Sequence, residues 1–276
     1  MFSTCQGDLR SPTFGGVALI IICHPISGLS QPLPLAPAAP LFDQEFQSFL
    51  QTPNRTGGTW QTQFFWDQRT LPQNGEQEFY SDNSVGPNPF ALEKSILSIN
   101  AQPEANGAGL PYVSGIITSY PSFSHIYGYF EMRAQLPQGA GMWPAFWLLP
   151  QQGGVGEIDI MEAFGAPYQG QGGCNQFHWA LHGTPTDLAP GEWVTTPSNI
   201  CTGFHVYGVD WQAATITWYL DGIKMAQQPT PLWANSPFYI LANLAVGGTW
   251  PGPPAGESAS MKIDYIRVYA ARSASN

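Results

Sequence analysis

The decapeptide GEIDIMEAFG (156–165) places Glu157, Asp159 and Glu162 within six positions of a chain in which only 10% of residues are charged. Carboxylates held this close repel one another, so at least one is expected to keep its proton near neutral pH. A protonated carboxyl beside an ionised one is the pair that cleaves a glycosidic bond with retention. One attacks the anomeric carbon and the other donates to the leaving oxygen, about 5 to 5.5 Å apart. Glu157 and Glu162 are long enough to lean toward each other across a sugar. Asp159, shorter and between them, suits a helper that hydrogen-bonds the attacking group. Two other uses fit less well. Acids that only solubilise or protect a strand edge would not be flanked by apolar residues without interleaved Lys or Arg. An EF-hand calcium loop needs a glycine and an oxygen-ligand spacing that are missing here.

The spacing, two and then three, fits neither regular element. On a helix Glu157 would point away from the other two, and on a flat strand Glu162 would. A β-bulge at Ile160 or Met161 inserts one residue and returns Glu162 to the face of Glu157 and Asp159. The chemistry therefore predicts a bulged strand.

The elements that must hold this strand are also strands. Thirty Gly and twenty-six Pro, no long helical periodicity, and short apolar or alternating runs between turn residues indicate an all-β fold. We expect a jelly-roll β-sandwich of two antiparallel sheets. In GYFEMRAQL, Phe130, Met132 and Ala134 take one face and Glu131, Arg133 and Gln135 the other. In MWPAFWLLP, Trp143 and Trp147 share a face with Ala145 between them. Ten Trp, eleven Tyr and sixteen Phe suit a concave surface that stacks on sugar rings, although most of them are expected in the core. A net charge of −10 with no basic run argues against nucleic acid or anionic membrane as a partner.

At the N-terminus, Arg10 precedes the apolar run FGGVALIIIC (14–23), and Ser27, Gly28 and Ser30 follow. Residues 1–30 have the pattern of a secretion signal, so a secreted or periplasmic location is expected. The run is shorter than the about 20 residues that span a bilayer, and bulky Ile22 disfavours a lipid anchor at Cys23. QPLPLAPAAP (31–40) reads as an extended linker, 41–272 as one folded domain and 273–276 as a tail. Cys174 and Cys201 would remain after cleavage, and in an oxidising compartment a disulfide between them is expected. Two buried thiols are the alternative. A monomer with no obligate partner is expected.

With these features in place, EIDIME resembles the E-x-D-x-x-E signature of glycoside hydrolase family 16, in its bulged, laminarinase-like form. YGYFEMRAQLP, GMWPAFWLLP, FHVYGVDW, ITWYLDG, NLAVGGTWPG and MKIDYIRVY resemble segments of that family in the same order, from about Phe42 to Tyr269. The resemblance implies a jelly roll with an open cleft, no catalytic cofactor, and endo-acting, retaining hydrolysis of a β-glucan polysaccharide, β-1,3-glucan foremost. It implies Glu157 as nucleophile, Asp159 as assisting acid and Glu162 as acid/base. Trp143, Trp147, His182, Asn243 and Trp250 would contact sugar, with His178 sharing the face of His182. Asp264 would match a structural calcium ligand. QQGGVG lacks the tryptophan that relatives often carry before the acids, and SGIITS lacks a basic residue, so fine specificity stays open. Mixed-linkage glucan, a galactan, a bacterial exopolysaccharide and transglycosylation remain alternatives. A carbohydrate-binding protein without turnover is disfavoured by the presence of all three acids.

Overall fold

Residues 39–51, 58–183 and 189–271 are described by the computed structural model. The expected signal, most of the linker and the tail beyond 272 lie outside them. Among the described residues there is no α-helix, and no helix is long and apolar enough to cross a membrane. Two large sheets result.

One sheet has six antiparallel strands in the order Ala189–Thr195, Gln176–His182, Glu157–Glu162, Met142–Pro150, Phe238–Val246 and Ile116–Thr118. The other runs Ile223–Pro229, Thr215–Leu220, His205–Trp211, Gly128–Gln135, Ala259–Tyr269, Ile96–Pro103, Tyr112–Ser114 and Glu78–Tyr80, with Phe42–Gln44 and Phe90–Glu93 also paired to it. The two antiparallel sheets of the expected sandwich are present, with one local departure: Glu78–Tyr80 pairs with Tyr112–Ser114 in parallel. Parallel neighbours need a long crossover, and residues 81–111 supply one that carries two strands of its own.

The core lies between the sheets. Phe130, Met132 and Ala134 are fully buried, as the alternation predicts, and they share one apolar cluster with Phe146, Leu148, Ile158 and Ile160 of the six-stranded sheet. Each of the larger side chains among them contributes about 1.5–3 kcal/mol of burial. Trp179 and Trp218 meet across the core with ring centroids 4.4 Å apart. Cys174 and Cys201 form a disulfide that joins segments 27 residues apart. Closing a loop of that length is worth about 3.5 kcal/mol by chain entropy.

Candidate active site

The Glu157–Glu162 strand takes its shape from its two neighbours. Against Met142–Pro150 the register pairs Glu162 with Ala145, Met161 with Phe146 and Asp159 with Trp147, so Ile160 is the extra residue. Against Gln176–His182, Glu162 faces His178, Asp159 faces Ala180 and Glu157 faces His182, with a shift between His178 and Ala180. Ile158, Ile160 and Met161 are all buried in the core, which turns the three acids to the opposite face. Trp218, reaching across from the other sheet, donates its indole N–H to the Asp159 carbonyl at 2.8 Å and braces the bulged backbone. Gly156, just before the strand, has φ +133, and a Cβ there would stand 2.6 Å from the Trp233 ring. Only glycine fits that approach.

Glu162 is gripped at both oxygens. Trp143 donates its indole N–H to Oε1 at 3.0 Å, and His178 Nδ1 lies 3.2 Å from Oε2. Trp250 packs edge-on against Trp143 and His178, with centroids 5.2 and 5.0 Å away, and so limits their rotation. At the other end of the strand, His182 Nε2 stands 2.9 Å from Asp159 Oδ2 and 3.7 Å from Glu157 Oε1. Asp159 Oδ2 is buried without a hydrogen-bond partner of its own, with the His182 ring as its close neighbour.

Burial is the leading cause that holds the Glu157 carboxyl well above the usual carboxylate range. The Asp159 charge adds to the shift and His182 opposes it. Asp159 is raised in the same way, by burial first and by the Glu162 charge second. In the folded protein desolvation is the larger cause, ahead of the repulsion expected from the spacing.

A second polar chain floors the cleft. Trp147 donates to Asn243 Oδ1 at 2.7 Å, and Asn243 donates from Nδ2 to the Tyr80 hydroxyl at 2.9 Å. Beside Tyr80, Glu76 accepts from the Leu71 N–H and from Asn74 Nδ2, both at 3.0 Å. Fully buried Glu78 accepts from the Val246 N–H at 2.6 Å. Burial raises both carboxyls, and the charge of Glu76 adds to the shift at Glu78. Sequence reasoning missed Glu76, Glu78 and Tyr80. The signal was present in QNGEQEFY, where two acids alternate in a charge-poor chain.

Trp143, Trp147, Glu157, Asp159, Glu162, His178, His182, Asn243 and Trp250 all line one cavity of about 460 Å³, together with Glu76. Asp264 does not. It lies on the ten-stranded sheet with its Oδ2 paired to Arg133 Nη1. The Arg133 guanidinium thus takes up one oxygen of that carboxylate, away from the cleft. Within the cleft, donor atoms of Glu157, Asp159 and His182 lie within 4.8 Å of one another, close enough to hold a divalent cation.

A jelly roll whose cleft carries a bulged strand of three acids, walled by tryptophans, has the architecture of a glycan-cleaving hydrolase. The chain belongs to glycosyl hydrolases family 16, whose family model matches residues 56–267. It is 39% identical over 244 residues to the endo-1,3-1,4-beta-glycanase ExsH of Rhizobium meliloti, covering 83% of this chain and 51% of that protein. It thus spans about half the length of these curated relatives. Among solved structures, the laminarinase catalytic domain of Thermotoga maritima superposes with a TM-score of 0.72 at 29% identity, covering 85% of this chain and 99% of that one. The endo-beta-1,3-glucanase of Pyrococcus furiosus superposes with a TM-score of 0.71 at 28% identity, covering 85% and 95%.

Proposed function

We propose that this protein is an endo-acting, retaining β-glucan hydrolase with β-1,3-glucan as its foremost substrate. The observation that carries the proposal is the placement of three carboxyls on one face of a bulged strand inside a single cavity. Glu157 attacks the anomeric carbon while Glu162 protonates the departing oxygen, leaving a glycosyl ester on Glu157. Glu162, now a base, takes a proton from water, and that water releases the sugar with its original configuration. Trp143 and His178 aim the Glu162 carboxyl, while Asp159 and His182 set the charge around Glu157. Two carboxyls and a water complete the chemistry, so no cofactor is needed. Asn243, Trp147 and Trp250 supply sugar contacts. The Cys174–Cys201 disulfide supports export to an oxidising compartment. A mixed-linkage substrate is the second reading, favoured by the similarity to endo-1,3-1,4-beta-glycanases of Rhizobium meliloti.

The test is digestion of laminarin, lichenan, agarose and xyloglucan, with product linkage and initial anomer read by NMR. β-Anomers released first from laminarin are expected. α-Anomers, or cleavage of agarose alone, would overturn the proposal. Glu157→Gln is expected to abolish turnover while oligosaccharide binding stays measurable, and an active purified variant would remove Glu157 from its role.

A further inference from the structure

The cleft does not end at the acids. A second cavity of about 370 Å³ shares Leu71, Gln73, Trp147, Glu157 and His182 with the catalytic one, then continues to Phe65, Trp66 and the glycines of the 153–156 turn. Glu162, Trp143, His178 and Trp250 do not reach it. In a retaining reaction the sugar bonded to the nucleophile stays with the enzyme, and the leaving portion departs beside the acid/base. A cavity that adjoins Glu157 and excludes Glu162 therefore lies on the side of the retained chain.

Trp66 is built as a wall for that space. Its ring stacks on Phe64 with centroids 4.6 Å apart and planes 10° from parallel, and Phe65 meets it edge-on at 4.7 Å. Its indole N–H donates to Gln68 Oε1 at 2.7 Å, which fixes the ring about its own axis. Phe64 is fully buried and packs against Trp147 and Tyr80, so the stack rests on the catalytic cleft itself. Trp66 is nevertheless 36% exposed, an unusual state for a ring so firmly held. In the same lining, a Cβ on Gly154 would meet nothing within 4 Å, and one on Gly153 would meet only Phe65, which leaves the groove open. Leu149, Pro150 and Phe65 make it apolar, and none of its described lining residues is Lys or Arg. The occupant that fits is neutral, with a flat C–H face.

We propose that the Phe65–Trp66 turn is a sugar-stacking platform for the retained end of the substrate, holding a β-linked glucosyl unit beyond the one bonded to Glu157. The platform rests on the retaining-hydrolase reading, and it takes the place of the aromatic that QQGGVG does not provide. The groove is the continuation of the catalytic cavity, so its occupant is the same glycan chain.

The test compares Trp66→Ala and Trp66→Phe with the parent protein on β-1,3-glucooligosaccharides from three to seven units, measuring KM and kcat separately and checking each fold by thermal melting. The loss of a stacked ring should raise KM about three- to tenfold on the hexa- and heptasaccharide, with a smaller rise on the trisaccharide. Trp66→Phe should recover most of it. Isothermal titration of laminarihexaose into Glu157→Gln with and without Trp66→Ala gives the same ratio without turnover. A loss that does not grow with chain length, or no loss, overturns the platform. If the parent protein cleaves none of these glucans, the functional reading fails; laminarihexaose affinity that still drops with Trp66→Ala would keep the platform, and no measurable binding would overturn it as well.

Discussion

Replacing Trp143 with Phe isolates one interaction of the site. The change removes the indole N–H that donates to Glu162 Oε1 at 3.0 Å and keeps a ring against Trp250. His178 still holds Oε2, so Glu162 keeps one tether and gains freedom at the oxygen released. A hydrogen bond to a nearly buried carboxyl is worth about 1–2 kcal/mol net. At 1.36 kcal/mol per decade, that is about a 5- to 30-fold fall in kcat/KM. Where the loss falls is more informative than its size. If Trp143 aims the proton donor, the full loss should appear on a β-glucan oligosaccharide, whose leaving alkoxide needs the proton. It should nearly vanish on the dinitrophenyl glycoside of the same glycone, which departs without one. Initial-rate measurement of kcat/KM on both substrates makes the comparison, because that parameter covers only the steps through the first bond cleavage. Equal losses on the two would mean that the indole serves general binding. No loss on either would refute the argument that Glu162 is oriented from this side.

Two further outcomes follow from the buried acids. Asp159→Asn removes the charge that, after burial, most raises Glu157; the acidic limb of kcat/KM should move to lower pH even as the rate falls, and an unmoved limb would show that Glu157 does not sense Asp159. Glu76, Glu78, Glu157 and Asp159 all have carboxyls raised by burial, so the native state binds more protons than the unfolded chain above the ordinary carboxylate range. Their stabilisation is complete below that range and is lost as pH rises through the folded values, so the melting temperature should fall from pH 5 toward pH 8. Glu78→Gln, which keeps an acceptor for the Val246 N–H, should flatten that slope; an identical slope would exclude Glu78 as a source.

Much of this architecture can be derived from local pattern alone. Alternation in GYFEMRAQL assigns Phe130 and Met132 to the core, and two-then-three spacing requires a bulge if three acids are to act together. Both are questions of parity along a strand, and parity is a property of adjacent residues. Tertiary structure decided what parity cannot reach. Which residue bulges depends on two neighbouring strands, one on each side. Glu78 meets Val246 across 168 positions, and Asp264 meets Arg133 across 131, because the sheets bring those strands together. The turn holding Trp66 borders the cleft only after its neighbour Phe64 packs against Trp147. Proton affinity was decided there too. Repulsion among Glu157, Asp159 and Glu162 can be anticipated from their spacing, but the larger cause is removal from water. Desolvation depends on everything that packs around a side chain, and no local stretch of sequence contains that.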